Sequence, residues 1–296
     1  MSDDTFKDIP FDSPVQPARL ELDSKICFNC YPGISCFNAC CKKADITLTP
    51  YDVIRLKDHL GKSSTEFLKD HTVPFQMDKE GLPGAKLKTT DEGVCLFMTE
   101  AGCSVYKDRP TACRYYPLGH MSMLASGSKT DETHYFMVKE AHCKGHEEDR
   151  VLPIADYLKE QETRQYDEMN REWMQLMLKR RSMGPTVGRP PEATLQMFFM
   201  CSFDMDRLRR FVLSDNFKKT YDLEDSTYEV LEKEDNSLMQ FGVRLMRQAF
   251  FGERTIPEKD GAWEKRVEAR QEVWDARRQA EIARQQQAED EKYKDA

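Results

Sequence analysis

The chain lacks a basic excess: 44 Lys and Arg stand against 52 Asp and Glu, a formal net charge of −8. That balance argues against non-specific nucleic-acid binding, which depends on a basic surface that neutralises phosphates. No apolar run approaches the roughly 20 residues needed to span a bilayer. The opening MSDDTFKDIPFDSPVQP has neither the basic start nor the apolar stretch of a secretory signal. A cytoplasmic protein without membrane contact is therefore expected. There is no G-x-G-x-x-G or similar glycine loop to cradle a nucleotide or methyl donor, and no internal repeat.

Cysteine, by contrast, is abundant and unevenly placed. Of ten, eight lie between Cys27 and Cys113, a ninth is Cys143, and only Cys201 falls in the second half. A chain of 296 residues can bury a core without covalent staples. A reducing cytoplasm also disfavours five structural disulfides. The densest stretch, CFNCYPGISCFNACC (27–41), ends in two adjacent cysteines. Neighbouring side chains of an extended segment point to opposite faces, so Cys40 and Cys41 are expected to serve different sites, or one a site and the other the core.

The organisation read from the sequence is α+β. An extended leader (1–24) precedes a small cysteine-rich domain of short strands and helices (25–147). A mainly α-helical region (150–255) and a charged tail (256–296), partly helical or disordered, follow. Ile46 to Leu48 suit a short strand. Thr49 then N-caps a helix with Pro50 at its first position and Gly61 beyond its end. Ser63 and Glu66 form a capping box for a second helix. Residues 94–98 and 134–139 read as strands. From Pro153, apolar residues at three-to-four spacing predict one long amphipathic helix ending by Gly184-Pro185. Further helices are expected over 191–200, 205–221 and 237–252. Opposite charges three or four apart suggest a solvated helix in the tail, a candidate surface for a protein partner.

As chemistry, thiolates are soft donors suited to zinc or iron. Cys27-x2-Cys30 has the spacing of two ligands on a tight turn. Cys36, Cys40 and Cys41 follow, then Cys95, Cys103, Cys113 and, within AHCKGH (141–146), Cys143. Nine thiols exceed one tetrahedral ion's four ligands, so either two sites exist or one site accompanies structural thiols. A [4Fe-4S] cluster also takes four thiolates, and spacing alone does not choose between zinc and iron–sulfur. A nucleophilic cysteine would need a base, and His120, His134, His142 and His146 are candidates without a distinguishing spacing. Asp108 is expected to cap a short helix near Pro110 that carries Cys113. Arg109 and Arg114 bracket that cysteine. They either offset thiolate charge or pair with carboxylates, while Tyr115, Tyr116 and Pro117 wall the site. Cys201, among apolar neighbours, reads as a buried structural thiol.

Three passages carry a resemblance: C30YPGISC36FNAC40C41 with DITLTPYDVIRL, G93VC95LF97 leading to GC103SVY, and DRPTAC113RYYPLG. They resemble the YkgJ-type cysteine-cluster family, longer form with a helical C-terminal region, over about residues 25–147. The resemblance implies chelation of zinc or iron. The short family pattern, C-x2-C-x2-3-CC, is stretched here to Cys30-x5-Cys36, which leaves the first ligand open between Cys27 and Cys30. The expected ligands are Cys30, Cys36, Cys40, Cys41, Cys95, Cys103 and Cys113, with Cys27 and Cys143 as second choices. The function expected is metal binding. Related sequences supply an enzyme alternative, a metal- or cluster-dependent protein lysine N-methylase-like transferase. A third reading, a factor that hands metal onward, calls for one exposed, labile site.

Overall fold

The computed structural model describes residues 13–124 except 17, residues 131–182 and 190–262, and single positions between 264 and 282. In chain order the elements are β1 (Lys25–Cys27), α1 (Pro50–His59), α2 (Ser64–His71), β2 (Thr72–Gln76), β3 (Pro83–Leu87), β4 (Met98–Thr99), β5 (Gly102–Cys103), α3 (Thr111–Tyr115), β6 (Leu118–Leu124), β7 (Asp131–Met137) and β8 (Val151–Pro153). Seven helices follow: α4 (Ile154–Glu160), α5 (Thr163–Ser182), α6 (Glu192–Phe203), α7 (Met205–Val212), α8 (Asp215–Thr220), α9 (Asp225–Lys233) and α10 (Asp235–Phe251). The strands pair antiparallel, two by two: β1 with β8, β2 with β3, β4 with β5, and β6 with β7. This is an α+β fold with short strands and a helical C-terminal region. No helix of the described residues is long and apolar enough to cross a membrane.

Local sequence signals set several of these elements. Thr49 accepts the Asp52 N–H, and the Asp52 carboxylate accepts the Thr49 N–H (2.8 Å), which closes a capping box at α1. Gly61, with φ 61°, lies just past that helix's C-cap, where a side chain would be strained. Ser63 and Glu66 close the same reciprocal pair at α2. Elsewhere tertiary contacts win. Residues 46–48 provide an isolated bridge, Thr47 to Lys86, in place of the expected strand, and of 94–98 only Met98 enters a strand, β4, while Cys95 bridges Thr89. The helix expected from Pro153 is broken at Glu162, whose φ is 55°, because the Gln161 carbonyl turns out to accept from Arg114 (2.8 Å). Residues 205–221 form two helices, since Ser214 leaves helical geometry to cap α8 by accepting the Phe217 N–H. The sequence reading missed α9 altogether, although Tyr228 and Leu231 are its buried i, i+3 pair. The tail helix and Gly184-Pro185 fall largely outside the described residues.

Two apolar clusters organise the molecule. The larger joins Leu48, Tyr51, Ile54, Leu56, Phe67, Leu87 and Phe97 to helix residues such as Trp173, Phe198, Phe203, Leu238 and Met246. Helices α5, α6 and α10 thus seal α1 and β3, and the cysteine-rich segment shares one core with the helical region. At the crossing of α6 and α10 a Cβ on Gly242 would lie 2.8 Å from the Cys201 carbonyl, so that contact requires glycine. The smaller cluster packs Ile26, Phe28, Tyr115, Leu118, Tyr135, Leu152 and Tyr157. The cysteine segments run between these two cores.

Candidate metal centre

The frame of the site begins at Asp52. Its side chain is fully buried, and besides closing the α1 box it accepts the Thr111 N–H (2.8 Å) and hydroxyl (2.7 Å). One carboxylate therefore serves the N-termini of two helices, and the second of them, α3, carries Cys113. Burial pushes the Asp52 carboxyl above its usual range, against the hydrogen bonds that favour its charge. Arg114, next to Cys113, is 1% exposed. Its guanidinium donates to the carbonyls of Arg109 (3.1 Å), Gln161 (2.8 Å) and Lys107 and to the Tyr166 hydroxyl (3.1 Å). It is a staple between α3 and the α4–α5 junction, not a sulfur donor. Arg109 donates to the Tyr106 carbonyl and to Gln161, yet its charge also reaches Cys103 and favours that thiolate.

Several expectations change at this level. Asp108 does not cap α3, since Arg55 and His59 occupy it instead. Tyr115 donates to Asp167 (2.8 Å) and stacks beside His120, within the smaller core. Tyr116 does face a thiol: its hydroxyl sits between Cys143 and Glu140, and burial first, then those two groups, push its pKa up. Burial depresses the imidazole pKa of His120 and of His146, and His146 lies 3.1 Å from the Val138 carbonyl.

The thiols gather into two groups by mutual electrostatic reach. Burial, then the charges of Cys40, Cys36 and Cys143, push the Cys30 thiol up to about 11. Cys36 accepts the Lys144 N–H at 3.2 Å, which binds the segment around 30–40 to the turn carrying Cys143. The second group is Cys41, Cys95, Cys103 and Cys113. Burial heads the causes that raise Cys113, followed by the charges of Cys95 and Cys103. Cys95 and Cys103 are raised by burial, while backbone N–H groups of Phe97 and Met98 at Cys95, and of Val105 at Cys103, favour the thiolates. The Cys95 N–H donates to the Cys41 carbonyl at 2.8 Å.

Cys40 and Cys41 stand at the junction, with sulfurs 4.0 Å apart. They do not alternate as in a strand. Ala39–Cys41 is a single 3₁₀ turn entered through Asn38 at φ 64°, and successive side chains of such a turn diverge by roughly 120°. The Cys41 hydrogen bond lowers the Cys40 pKa, and the same bond raises Cys41. Cys41 also feels Cys95 and Cys113, whereas Cys40 is felt by Cys30 on one side and by Cys95, Cys103 and Cys113 on the other. Two cysteines stay apart. The Cys27 thiol donates to the Glu148 carbonyl (2.7 Å), and Cys201 is fully buried in α6, its thiol pushed up to about 12.

Among the described residues no three His, Cys, Asp or Glu donors already surround one common point. The donor set nevertheless suits a soft divalent ion. Crowded sulfurs retain protons because each neighbouring thiolate repels the next, and a cation placed among them reverses that balance. Residues 29–144 match the family model described as "CxxCxxCC: Putative zinc- or iron-chelating domain". The matched stretch begins past Cys27 and includes Cys143. No curated protein and no solved structure matches the chain.

Proposed function

We propose that the protein binds zinc or iron at two adjoining four-thiolate sites. The outer site uses Cys30, Cys36, Cys40 and Cys143, and the inner uses Cys41, Cys95, Cys103 and Cys113. The observation that carries this reading is that the thiols around Cys30, tied to the Cys143 turn by the Lys144 N–H on Cys36, and those around Cys113, tied to Cys41 through the Cys95 N–H, meet at the adjacent Cys40 and Cys41, with Cys40 within reach of both sets. Four thiolates complete a tetrahedral shell, so neither group needs a ligand from the other. Cys30, not Cys27, is the first ligand, and Cys143 joins the ligand set on the strength of its reach to Cys30. A bound ion would be held by the sulfurs, and the backbone N–H groups at Cys95 and Cys103 would donate to those thiolates and orient them. The transferase alternative draws no support from these features.

The test is anaerobic purification with elemental analysis, a visible spectrum and sulfide determination. Two equivalents of one metal per chain are expected in the wild type, and one equivalent in each of Cys30→Ser and Cys113→Ser. Retention of two equivalents by either variant, or fewer than 1.5 in the wild type, overturns the reading. Colourless protein with zinc assigns mononuclear sites at these counts, and brown protein with iron and sulfide assigns clusters, for which each site counts four irons in place of one equivalent.

A further inference from the structure

The two thiol groups differ in access. Cys30 and Cys40 are exposed and Cys95 is buried; Cys36 and Cys143 of the outer group and Cys41, Cys103 and Cys113 of the inner are partly exposed, but Cys41 and Cys103 pack against the larger core. The backbone differs in the same sense. Cys30 sits in irregular chain and Cys36 in the turn that follows it, and Cys143 closes another turn, its N–H on the Glu140 carbonyl. Cys103 lies in β5 and Cys113 in α3, which Asp52 ties to α1. The outer group also has two non-thiol donors beside it. Glu140 and His142 lie 3.6 Å apart, their side chains 37% and 40% exposed. The Glu140 charge reaches Cys40, and its carboxylate shares the Tyr116 hydroxyl's surroundings with Cys143. Both residues fall outside the thiol shells proposed above.

We propose that the outer thiol group is an exchange site for its metal ion, with Glu140 and His142 as the portal through which the ion passes to a soluble thiol-bearing acceptor, while the inner group retains its ion. This rests on the two-site reading. The step is a ligand exchange without redox change. A bond from the ion to an outer-site sulfur breaks, the Glu140 carboxylate or the His142 imidazole takes that coordination position, and an acceptor thiolate then displaces it. The proton released by the acceptor thiol passes to the vacated cysteine. Carboxylate and imidazole suit an intermediate position because they hold borderline ions less tightly than thiolates do. Exposed, turn-borne sulfurs can leave the ion one at a time, which buried sulfurs fixed by helix and strand cannot do without local unfolding.

The experiment uses the full chain loaded with zinc alone, mixed with a chromogenic chelator in excess and, separately, with a soluble peptide dithiol. Two release phases of one equivalent each are expected. Cys30→Ser abolishes the fast phase and keeps the slow one. The double variant Glu140→Gln, His142→Asn keeps both equivalents and slows the fast phase by about ten-fold. A single phase, or a fast phase that disappears in Cys95→Ser but survives in Cys30→Ser, overturns the exchange assignment. An unchanged fast rate in the double variant overturns the portal. Zinc content below two equivalents before mixing marks failure of the two-site reading itself, and the proposal falls with it.

Discussion

Cys113 and Cys30 carry the same donor atom and stand in neighbouring groups of thiols. Cys113 rides on a helix whose first N–H is bound by the buried Asp52, beside an arginine that gathers three carbonyls from two segments. Cys30 rides on irregular chain, held to a distant segment by the Asn29 N–H on the Gly145 carbonyl (3.0 Å) and by the Lys144 N–H on Cys36. The contrast separates two properties that cysteine counting merges. Thiol chemistry decides which ions can bind, but the scaffold under each thiol decides whether binding is coupled to folding or to exchange with solvent.

The sharpest way to break this comparison is to remove one sulfur from each group. Cys113→Ser should destabilise the zinc-loaded protein by several kcal/mol, since metal binding at a core site is also folding free energy. Cys30→Ser should leave the melting temperature nearly unchanged. Equal losses in calorimetry would show that the scaffolds do not differ. Next in size is Asp52→Ala, which strips the α1 box and leaves the α3 N-terminus unpaired in the core. A loss of about 3 kcal/mol is expected in denaturant titration. Inner-site zinc affinity should weaken and the outer site should not.

Cys40→Ser and Cys41→Ser should then diverge. The Cys40 variant is expected to lose the rapidly released equivalent and the Cys41 variant the slowly released one, in a chelator time course. Loss of the same equivalent in both would mean that the adjacent pair serves one site. The smallest effect concerns His71, stacked between Phe67 and Phe97 with neither ring nitrogen hydrogen-bonded. Burial, with Lys62 and Lys88 outweighing Asp70 nearby, depresses its pKa. The unfolded chain takes up a proton near pH 6.5 that the folded protein refuses, so this contribution costs stability as pH falls below about 6.5 and nothing above it. Zinc-loaded wild type should lose roughly 1 kcal/mol more between pH 7 and 5 than His71→Phe. Parallel stability curves for the two would remove His71 from the account.

What could be read in advance follows the range of the interactions. Thr49-Pro50 with Gly61, and Ser63 with Glu66, declared their helices because a capping box closes within four residues. The break at Glu162 was illegible because its cause, Arg114, is 47 residues from the carbonyl it binds. Arg114 itself read as an aid to thiolates, since sequence proximity to Cys113 says nothing about where a long side chain points. Ser214 was a local signal that an apolar-period reading overran, and it could have been found as the cap of α8.

By itself the sequence determined the chemistry on offer: an acidic chain with a crowd of soft donors and no bilayer-length apolar run, and helices whose ends are written in their caps. These properties live in composition and in contacts a few residues apart. Tertiary structure decided that Cys143 comes within electrostatic reach of Cys30 while Cys27 turns to Glu148, and which sulfurs meet solvent. Those outcomes depend on two apolar cores closing on either side of the cysteine segments. Burial of surface distant in the chain, rather than the spacing of the thiols, sets which sulfurs become neighbours.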